Sequence, residues 1–405
     1  MAGTELRSGQ DRPLSLHKLV YLVDGDEVTI GRQDNDSYAI FPPDGAELVR
    51  RLEAGVTPHE AARWYEAEYG QSVDIGHVVA AVSELGFLRE PDEMPTAIEP
   101  VRWQRLGKAL FSPPAWVAYG AVVTWALVAV VRSPELRPTY HSIFFTQYFS
   151  IIELTLFAVA FPLIVLHEAF HAVAARRLGV RSRLRFGHRF YYVVLETALD
   201  GLVAVPRRKR YLPILAGMLA DTLVLSAFII AASLTRGPGG VLSAEGRLCL
   251  AFAFATLLRL AWQFLFYLRT DLYVLITTVL GCVDLHTTAK RMLRHRFCRL
   301  LGRGRQPADD WHPADRRAAQ WYSWLIVVGY AVSLAMIILV AAPIAYWMFS
   351  GALGRLTGDS RASGPQLLDS AVFLALNFQQ VALTAWLAIR ERRLRRKAKF
   401  RHVIN

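Results

Sequence analysis

The chain has few cysteines, and they form no metal-binding pattern. Its 405 residues include three, Cys249, Cys282 and Cys298, whose spacing fits neither a zinc cluster nor a disulfide framework. Residues 1–110 also lack any apolar run long enough to cross a bilayer. These absences exclude a disulfide-rich scaffold and a cysteine-based zinc protein. They also predict that the first part of the chain is a separate soluble unit.

The rest of the chain is rich in apolar residues. Apolar residues make up 53% of the sequence and the mean hydropathy is +0.27, which is too apolar for a soluble enzyme of this length. We therefore predict an α-helical polytopic membrane protein with about six spans. The expected spans lie near residues 115–131, 144–166, 212–234, 247–268, 322–348 and 367–389.

Basic residues are scarce in every second connection between these spans. Ten lie in residues 176–210, nine in 290–317 and eight in 390–401, whereas the other connections together hold six arginines. Positively charged connections stay on the cytoplasmic side of a membrane. The alternation therefore predicts a multi-pass protein of the cell membrane with both termini in the cytoplasm, and it favours topology over nucleic-acid binding as the cause of the charge.

Residues 167–171 read His-Glu-Ala-Phe-His and follow a long apolar run. On a helix this spacing places His167 and His171 one turn apart on one face, where both imidazoles can bind one zinc ion. Glu168 is then expected beside the metal, positioned to take a proton from a water molecule there. The pattern predicts a metalloprotease site inside or at the edge of a bilayer.

The third zinc ligand is expected among acidic residues in or near the spans. Asp271 fits best, because it lies ~24 residues along the fourth span, about 36 Å, and His167 lies ~23 residues along the second, about 35 Å. Alternatively, Asp271 pairs with Arg269 or Arg259. Asp221 is interpreted as a helix-packing or substrate-gate residue. The other acidic candidates are Glu153, Glu196, Asp200 and Asp284.

These residues carry a resemblance to a known family. Residues 166–180, which contain the His-Glu-Ala-Phe-His motif, resemble the active-site helix of the site-2 protease family of intramembrane zinc metallopeptidases. A β-prone stretch at 184–205 resembles the membrane-associated hairpin near that family's active site. Residues 216–221 resemble its Ala-Gly-Pro stretch, with Met218 in place of proline. The resemblance covers about residues 110–310 and implies a protease with bound Zn2+.

Residues 268–273 (Leu-Arg-Thr-Asp-Leu-Tyr) resemble the Arg-Thr-Asp-Gly-Tyr segment of the bacterial peptide-processing branch of this family. The aspartate of that segment is the third metal ligand, which implies Asp271 here. Leu272 replaces the usual glycine, and the usual upstream Asn-Pro is missing. Because those groups are thought to hold the substrate backbone, substrate handling is less well defined than metal binding.

The first hundred residues predict a small α+β module. Residues 20–23 and 27–30 form a hairpin with a glycine-containing turn, and residues 37–41 form a third strand. Three helices follow: one from Asp44, one capped by Thr57 with a capping box, and one from Asp74. Three strands and three helices make a winged-helix-like domain.

This order, with Pro-Pro-Asp-Gly-Ala-Glu-Leu at 42–48, resembles the PqqD-like element that binds leader peptides of ribosomally made natural products. In such an element the leader adds a strand to a sheet edge and packs against a helix. A DNA-binding role is opposed by 19 acids against 8 bases in residues 1–100; a purely structural domain is another alternative. The predicted leader-binding residues are Ser37, Tyr38, Ala39, Ile40, Phe41, Ile75, Val78, Val79 and Val82.

The expected organisation is a recognition domain at 1–95, a linker and interfacial segment at 96–114, a zinc protease core at 115–310, and two further spans with a basic tail at 311–405. The expected function is zinc-dependent cleavage of a precursor peptide. Its expected partners are the leader peptide, the lipid bilayer and modifying enzymes of the same pathway, but no nucleic acid. The alternatives are a regulatory intramembrane protease of a signalling protein and a non-catalytic peptide escort or immunity protein.

Overall fold

The computed structural model describes residues 12–25, 27–32, 34–35, 37–89, 101–189, 192–198, 200–282, 284–300, 313–358 and 362–404. The chain groups into two compact units. The first contains Met1–Phe111, His171–Leu184 and Thr197–Pro213; the second contains Ser112–Phe170, Arg185–Glu196 and Ile214–Asn405. The expected boundaries after residues 95 and 310 lie outside the described residues, and the one after residue 114 stays a prediction.

The first unit begins with the predicted three strands and three helices. The strands form one antiparallel sheet in the order β1-β2-β3, in which Ile30 pairs with Tyr21 on one side and with Ala39 on the other. This confirms the small N-terminal sheet expected from the sequence. The elements are β1 (Val20–Asp24), β2 (Glu27–Arg32), β3 (Ser37–Phe41), α1 (Pro43–Glu53), α2 (Pro58–Tyr69) and α3 (Ile75–Glu84).

Local sequence signals fix the starts of two of these helices. The Thr57 side chain accepts from the backbone N–H of Glu60, and the Glu60 carboxylate accepts from the backbone N–H of Thr57, which confirms the capping box. Asp74 accepts from the backbone N–H of His77 at the start of α3. The core between sheet and helices contains Ile30, Val49, Val82 and Phe87, all fully buried.

The described elements after Arg89 are helices, with one two-stranded sheet, β4-β5. That sheet confirms the expected β-structure within residues 184–205. The elements are α4 (Gln104–Leu110), α5 (Pro113–Arg132), α6 (Phe149–Arg177), β4 (Arg183–Arg189), β5 (Tyr192–Ala198), α7 (Arg207–Leu234), α8 (Ala244–Trp262), α9 (Asp271–Leu280), α10 (Leu285–Leu300), α11 (Pro313–Met336), α12 (Ala342–Thr357) and α13 (Gly364–Ile404).

Among the described residues, five helices are long and apolar enough to cross a membrane, or six if the bent pair α9–α10 counts as one span. The five are Pro113–Arg132, Phe149–Arg177, Arg207–Leu234, Ala314–Thr357 and Gly364–Leu387. The chain is therefore a helical protein with several candidate membrane spans. A π-helical turn at Ile337–Ala341 joins α11 to α12 within the fourth of them.

The prediction of a fourth span at 247–268 has to be corrected. The structure ends α8 at Trp262 and turns the chain through a short 3-10 helix, Phe266–Leu268, before α9 begins. Helix α8 also contains three charged residues, Glu245, Arg247 and Arg259. Charges of this kind are costly in lipid, and α8 is not among the five candidate spans.

The first turn of α6 is held by a residue of α13. The Asp369 carboxylate accepts from the backbone N–H groups of Phe149 (2.8 Å) and Ser150 (2.9 Å), and also from the Ser150 hydroxyl. Arg355 lies 3.7 Å from the same carboxylate. These bonds satisfy backbone donors that a helix start leaves without partners, so α6 is fixed at the end far from its His-Glu-Ala-Phe-His motif.

We expect Ile30→Ala to destabilise the N-terminal sheet by about 2–5 kcal/mol, because the substitution leaves a cavity in a closed core. Ile40→Ala on the neighbouring strand is the matched control: Ile40 is 48% exposed, so its truncation should change stability by less than about 0.5 kcal/mol. Amide hydrogen exchange of β2 in the full chain measures both. Equal losses of protection would contradict the prediction.

Candidate metal centre

His167 and His171 lie one turn apart on the continuous helix α6, as the motif predicts. Both are buried, with 7% and 5% of their surface exposed. Two buried imidazoles on one face of a helix bring two nitrogen ligands towards one point. Both rings are therefore available to an internal site.

A tight turn after α8 places Asp271 at the start of α9. The Gln263 backbone carbonyl accepts from the Thr270 hydroxyl at 2.6 Å, and its side-chain oxygen accepts from the backbone N–H of Asp271 at 3.0 Å. Arg269 adopts the left-handed conformation (φ 57°) in this turn, which is uncommon for a residue with a side chain. The turn replaces the straight helix on which the expected depth of Asp271 was based.

The turn nevertheless brings Asp271 to His167. Nε2 of His167 lies 3.1 Å from a carboxylate oxygen of Asp271, and one ligand atom each from His167, His171 and Asp271 lie within 4.8 Å of one another. Ligand atoms around a tetrahedral zinc ion are about 3.4 Å apart, so a small contraction suffices. Two imidazoles and one carboxylate with an open fourth position fit zinc, and this is the group of three that the described residues offer to a metal.

The second nitrogen of each imidazole faces an acceptor on α7. Nδ1 of His171 lies 2.7 Å from the backbone carbonyl of Pro213, and Nδ1 of His167 lies 3.0 Å from the Asp221 carboxylate. With Nδ1–H donating to these acceptors, Nε2 carries the lone pair that binds a cation. Metal-binding histidines in proteins are commonly oriented in this way.

Asp221 is almost fully buried, with 1% of its surface exposed, and it pairs with an arginine. Nε of Arg259 donates to Asp221 at 3.0 Å, and a terminal guanidinium nitrogen of Arg259 donates to the other carboxylate oxygen. The guanidinium and carboxylate planes therefore meet through two bonds. Arg259 balances the charge that Asp221 places beside His167. The alternative pairing of Arg259 with Asp271 is not what the structure shows.

Glu168 follows His167 on α6 and is partly buried. Adjacent residues on a helix point about 100° apart, so the Glu168 carboxylate leaves the helix beside the ligand face rather than within it. It is absent from the group of three ligand residues. This placement suits a residue that acts on a molecule next to the metal.

The other acidic candidates have different surroundings. Glu153 accepts from the Asn377 side chain at 2.9 Å, and Asp284 accepts from the backbone N–H of Thr287 at 3.4 Å. The side chains of Glu196 and Asp200 lie outside the described part of the chain. Neither Glu153 nor Asp284 belongs to the described group of possible metal ligands.

The predicted leader-binding residues divide into exposed and buried sets. On β3, Ile40 is 48% exposed, whereas Ser37, Tyr38, Ala39 and Phe41 are half-buried. The strand is an edge of the sheet, because β3 pairs with β2 and lies at the end of the strand order. It therefore offers one side of its backbone for a further strand.

On α3, Val78 and Val79 are half-buried, but Ile75 and Val82 are core residues, 9% and 0% exposed. The Ser37 hydroxyl donates to the backbone carbonyl of Leu85 at 2.7 Å, so the start of β3 lies beside the end of α3. Val82 packs inside this domain and leaves Val78 and Val79 as the α3 residues nearer the surface.

Arg32 ties the turn before β3 to the end of α3. It donates to the Asp34 carboxylate at 2.7 Å and to the backbone carbonyl of Gly86 at 2.8 Å. The hydrogen bond from Arg32 holds the pKa of Asp34 below its usual range. The turn that precedes β3 therefore keeps the Arg32–Asp34 ion pair at neutral pH.

Sequence reasoning missed the roles of Asp221, Arg259, Gln263 and Pro213. An acidic residue and an arginine in apolar helices were visible signals, because charges in such helices usually have partners. Their pairing was not visible, since Asp221 and Arg259 are 38 residues apart and no periodic pattern links them. The carbonyl of Pro213 and the side chain of Gln263 carry no sequence signal of their roles.

No protein-family model, curated protein or solved structure matches this chain. The resemblances to site-2 proteases and to PqqD-like elements therefore depend on short motifs alone. Any function must be argued from the geometry of the residues themselves.

We expect His171→Ala and Asp271→Ala to lower the zinc bound per chain, because each removes one of three ligands. Elemental analysis of the purified full chain after mild chelation measures this. His286→Ala is the matched control, since His286 is equally buried (5% exposed) and contacts Tyr322 instead of the metal group. Unchanged zinc content in either ligand variant would remove that residue from the site.

Proposed function

We propose that the protein is a membrane-embedded zinc metalloprotease of the cell membrane that cuts a ribosomally made precursor peptide, with both termini in the cytoplasm. The observation that carries the proposal is the meeting of His167, His171 and Asp271, with both Nδ1 atoms facing acceptors. Two of these residues belong to a motif that also supplies Glu168. This combination of ligands and a neighbouring carboxylate suits peptide hydrolysis.

In the proposed reaction, His167, His171 and Asp271 would hold zinc, which would supply Lewis-acid chemistry to the scissile carbonyl and to water. Glu168 accepts a proton from the attacking water and delivers it to the leaving amine. The nucleophile is water, so no covalent acyl-enzyme forms on the chain. The products are two peptides, one with a new carboxyl end and the other with a new amino end.

The N-terminal domain is proposed to capture the leader of the precursor along β3. An added strand pairs with the outer edge of Ser37–Phe41. Ile40 contributes an exposed apolar side chain on one face of the sheet, and Val78 and Val79 are the half-buried α3 residues on the helix side. Main-chain hydrogen bonds would supply affinity, and these side chains would select the leader sequence.

Contacts within the first unit join the N-terminal domain to segments from later in the chain. Nε of Arg207 donates to Asp24 at 2.6 Å, and Arg181 donates to the backbone carbonyl of Asp34 at 3.2 Å. The same unit contains the segment that begins at His171. A leader held on this domain would raise the local peptide concentration to roughly the millimolar range, so weak binding at the metal would suffice.

We expect Glu168→Gln to bind zinc as the wild type does and to lose cleavage, because the amide cannot accept the proton of water. Purified full chains in nanodiscs are incubated with the short precursor encoded nearest the gene, and products are read by mass spectrometry. A cut retained by the variant would disprove the proton-transfer role. Leader binding without a cut in both forms would favour a peptide escort or immunity protein.

We expect Ile40→Asp to weaken leader binding at least tenfold, because it places a charge beside the added strand. Val23→Asp is the matched control: Val23 is 67% exposed on β1, the opposite edge of the same sheet. Fluorescence anisotropy of a labelled leader on the full chain measures both. Equal weakening by the two substitutions would argue against β3 as the docking edge.

A second candidate function is favoured by a cavity among the candidate spans. An apolar cavity of about 620 Å³ is lined by Ile152, Leu258, Ile337 and Phe373, among others, and a smaller one of about 180 Å³ shares Leu156 with it and reaches Arg259. Space of this kind suits a few apolar side chains of a transmembrane segment of a signalling protein. Cleavage of a transmembrane substrate, with the soluble precursor left intact, would establish this regulatory role instead.

A further inference from the structure

The Asp221 carboxylate has two partners of different kinds, a histidine and an arginine. Among the described residues its carboxylate accepts from His167 at 3.0 Å and from Arg259 through two nitrogens. We infer that Asp221 and Arg259 form a positioning pair that sets the tautomer and the orientation of His167 for metal binding. The inference rests on the proposed function, because it assigns these residues to the same metal site.

The first step is the cost of a buried carboxylate. Asp221 is 1% exposed on a helix that is apolar enough to cross a membrane, where an unpaired carboxylate is strongly unfavourable. Packing alone would be served by an apolar side chain of the same size. The retained carboxylate therefore indicates a chemical role for its oxygens.

The second step is the nitrogen that Asp221 contacts. A neutral imidazole carries its proton on one nitrogen, and the acceptor at Nδ1 of His167 keeps that proton there. Nε2, which lies 3.1 Å from Asp271, then presents its lone pair to the metal. The hydrogen bond to a carboxylate also makes the imidazole a stronger ligand.

The third step is the choice of arginine. Arg259 donates from two nitrogens to the two oxygens of Asp221, which fixes the carboxylate plane as well as its charge. Lysine offers a single point charge on a flexible stem and cannot fix that plane. Held by Arg259, Asp221 stays aligned with His167 and is kept from acting as a fourth metal ligand.

A purely structural alternative is that the Asp221–Arg259 ion pair only stabilises the packing of α7 against α8. The chain contains a suitable comparison: Asp369 is also buried (6% exposed), lies 3.7 Å from Arg355 and contacts α6 at its other end. If any buried acid–arginine pair that contacts α6 supports the metal indirectly, the Asp369–Arg355 pair should behave like the Asp221–Arg259 pair. If Asp221 orients His167, only the first pair should affect zinc.

The test uses the full chain in nanodiscs and measures zinc affinity by chelator competition. We expect Asp221→Leu and the double variant Asp221→Leu/Arg259→Leu each to bind zinc about 10- to 100-fold more weakly than the wild type. Replacing both partners of a buried pair by apolar groups is often neutral for stability, so the double variant should recover the thermal stability that the single variant loses. Asp369→Leu/Arg355→Leu should stay within about twofold of wild-type zinc affinity.

The outcomes separate this inference from the proposed function. Wild-type zinc affinity in the stable double variant would overturn the positioning role while leaving the protease proposal intact. An equal loss in the Asp369→Leu/Arg355→Leu variant would also overturn it, in favour of a general packing effect. A wild-type chain that binds no zinc would instead remove the proposed function itself. Arg259→Lys keeps the positive charge, and its zinc affinity is expected to lie between those of the wild type and the double variant.

Discussion

The arrangement of the candidate site depends on two hydrogen bonds from α6 to α7. The imidazoles of His167 and His171 each reach an acceptor on the neighbouring helix, a carboxylate for one and a backbone carbonyl for the other. Because both bonds use Nδ1, both rings turn Nε2 to the same side. The spacing of the two histidines places them on one face of the helix. The two hydrogen bonds determine which nitrogen of each ring is left to bind a metal ion.

Charge balance is the second constraint. Three described acids among the apolar helices have a nearby polar or cationic partner: Asp221 with Arg259, Asp369 with Arg355, and Glu153 with Asn377. In a low-dielectric setting such pairing is required before a carboxylate can remain buried. The pairs differ in what else they contact, since one bonds a possible metal ligand, one caps a helix and one borders a cavity.

The sequence was most informative where partners are close along the chain. The capping box at Thr57 and Glu60 and the spacing of His167 and His171 involve residues three or four positions apart, so pattern alone defines them. The bond between His167 and Asp221 joins residues 54 positions apart, and no periodicity reports it. Likewise, the end of α8 at Trp262 was missed, because the apolar run continues past it while Gln263 folds the chain into a turn. Asp271 lies in the described group of three, but the straight helix on which its expected depth was based does not exist, and a turn places it there.

The bond between Asp369 and the first turn of α6 has a consequence for the order of events during synthesis. The carboxylate that satisfies the N–H groups of Phe149 and Ser150 is made 219 to 220 residues after them. At ~5–20 residues per second, a ribosome needs roughly 10–45 s to cover that distance. During this interval the helix that carries both histidines has an incomplete start. The newly made chain thus completes the hydrogen bonds at the start of α6 only once α13 is in place, after nearly all of the polypeptide has been synthesised.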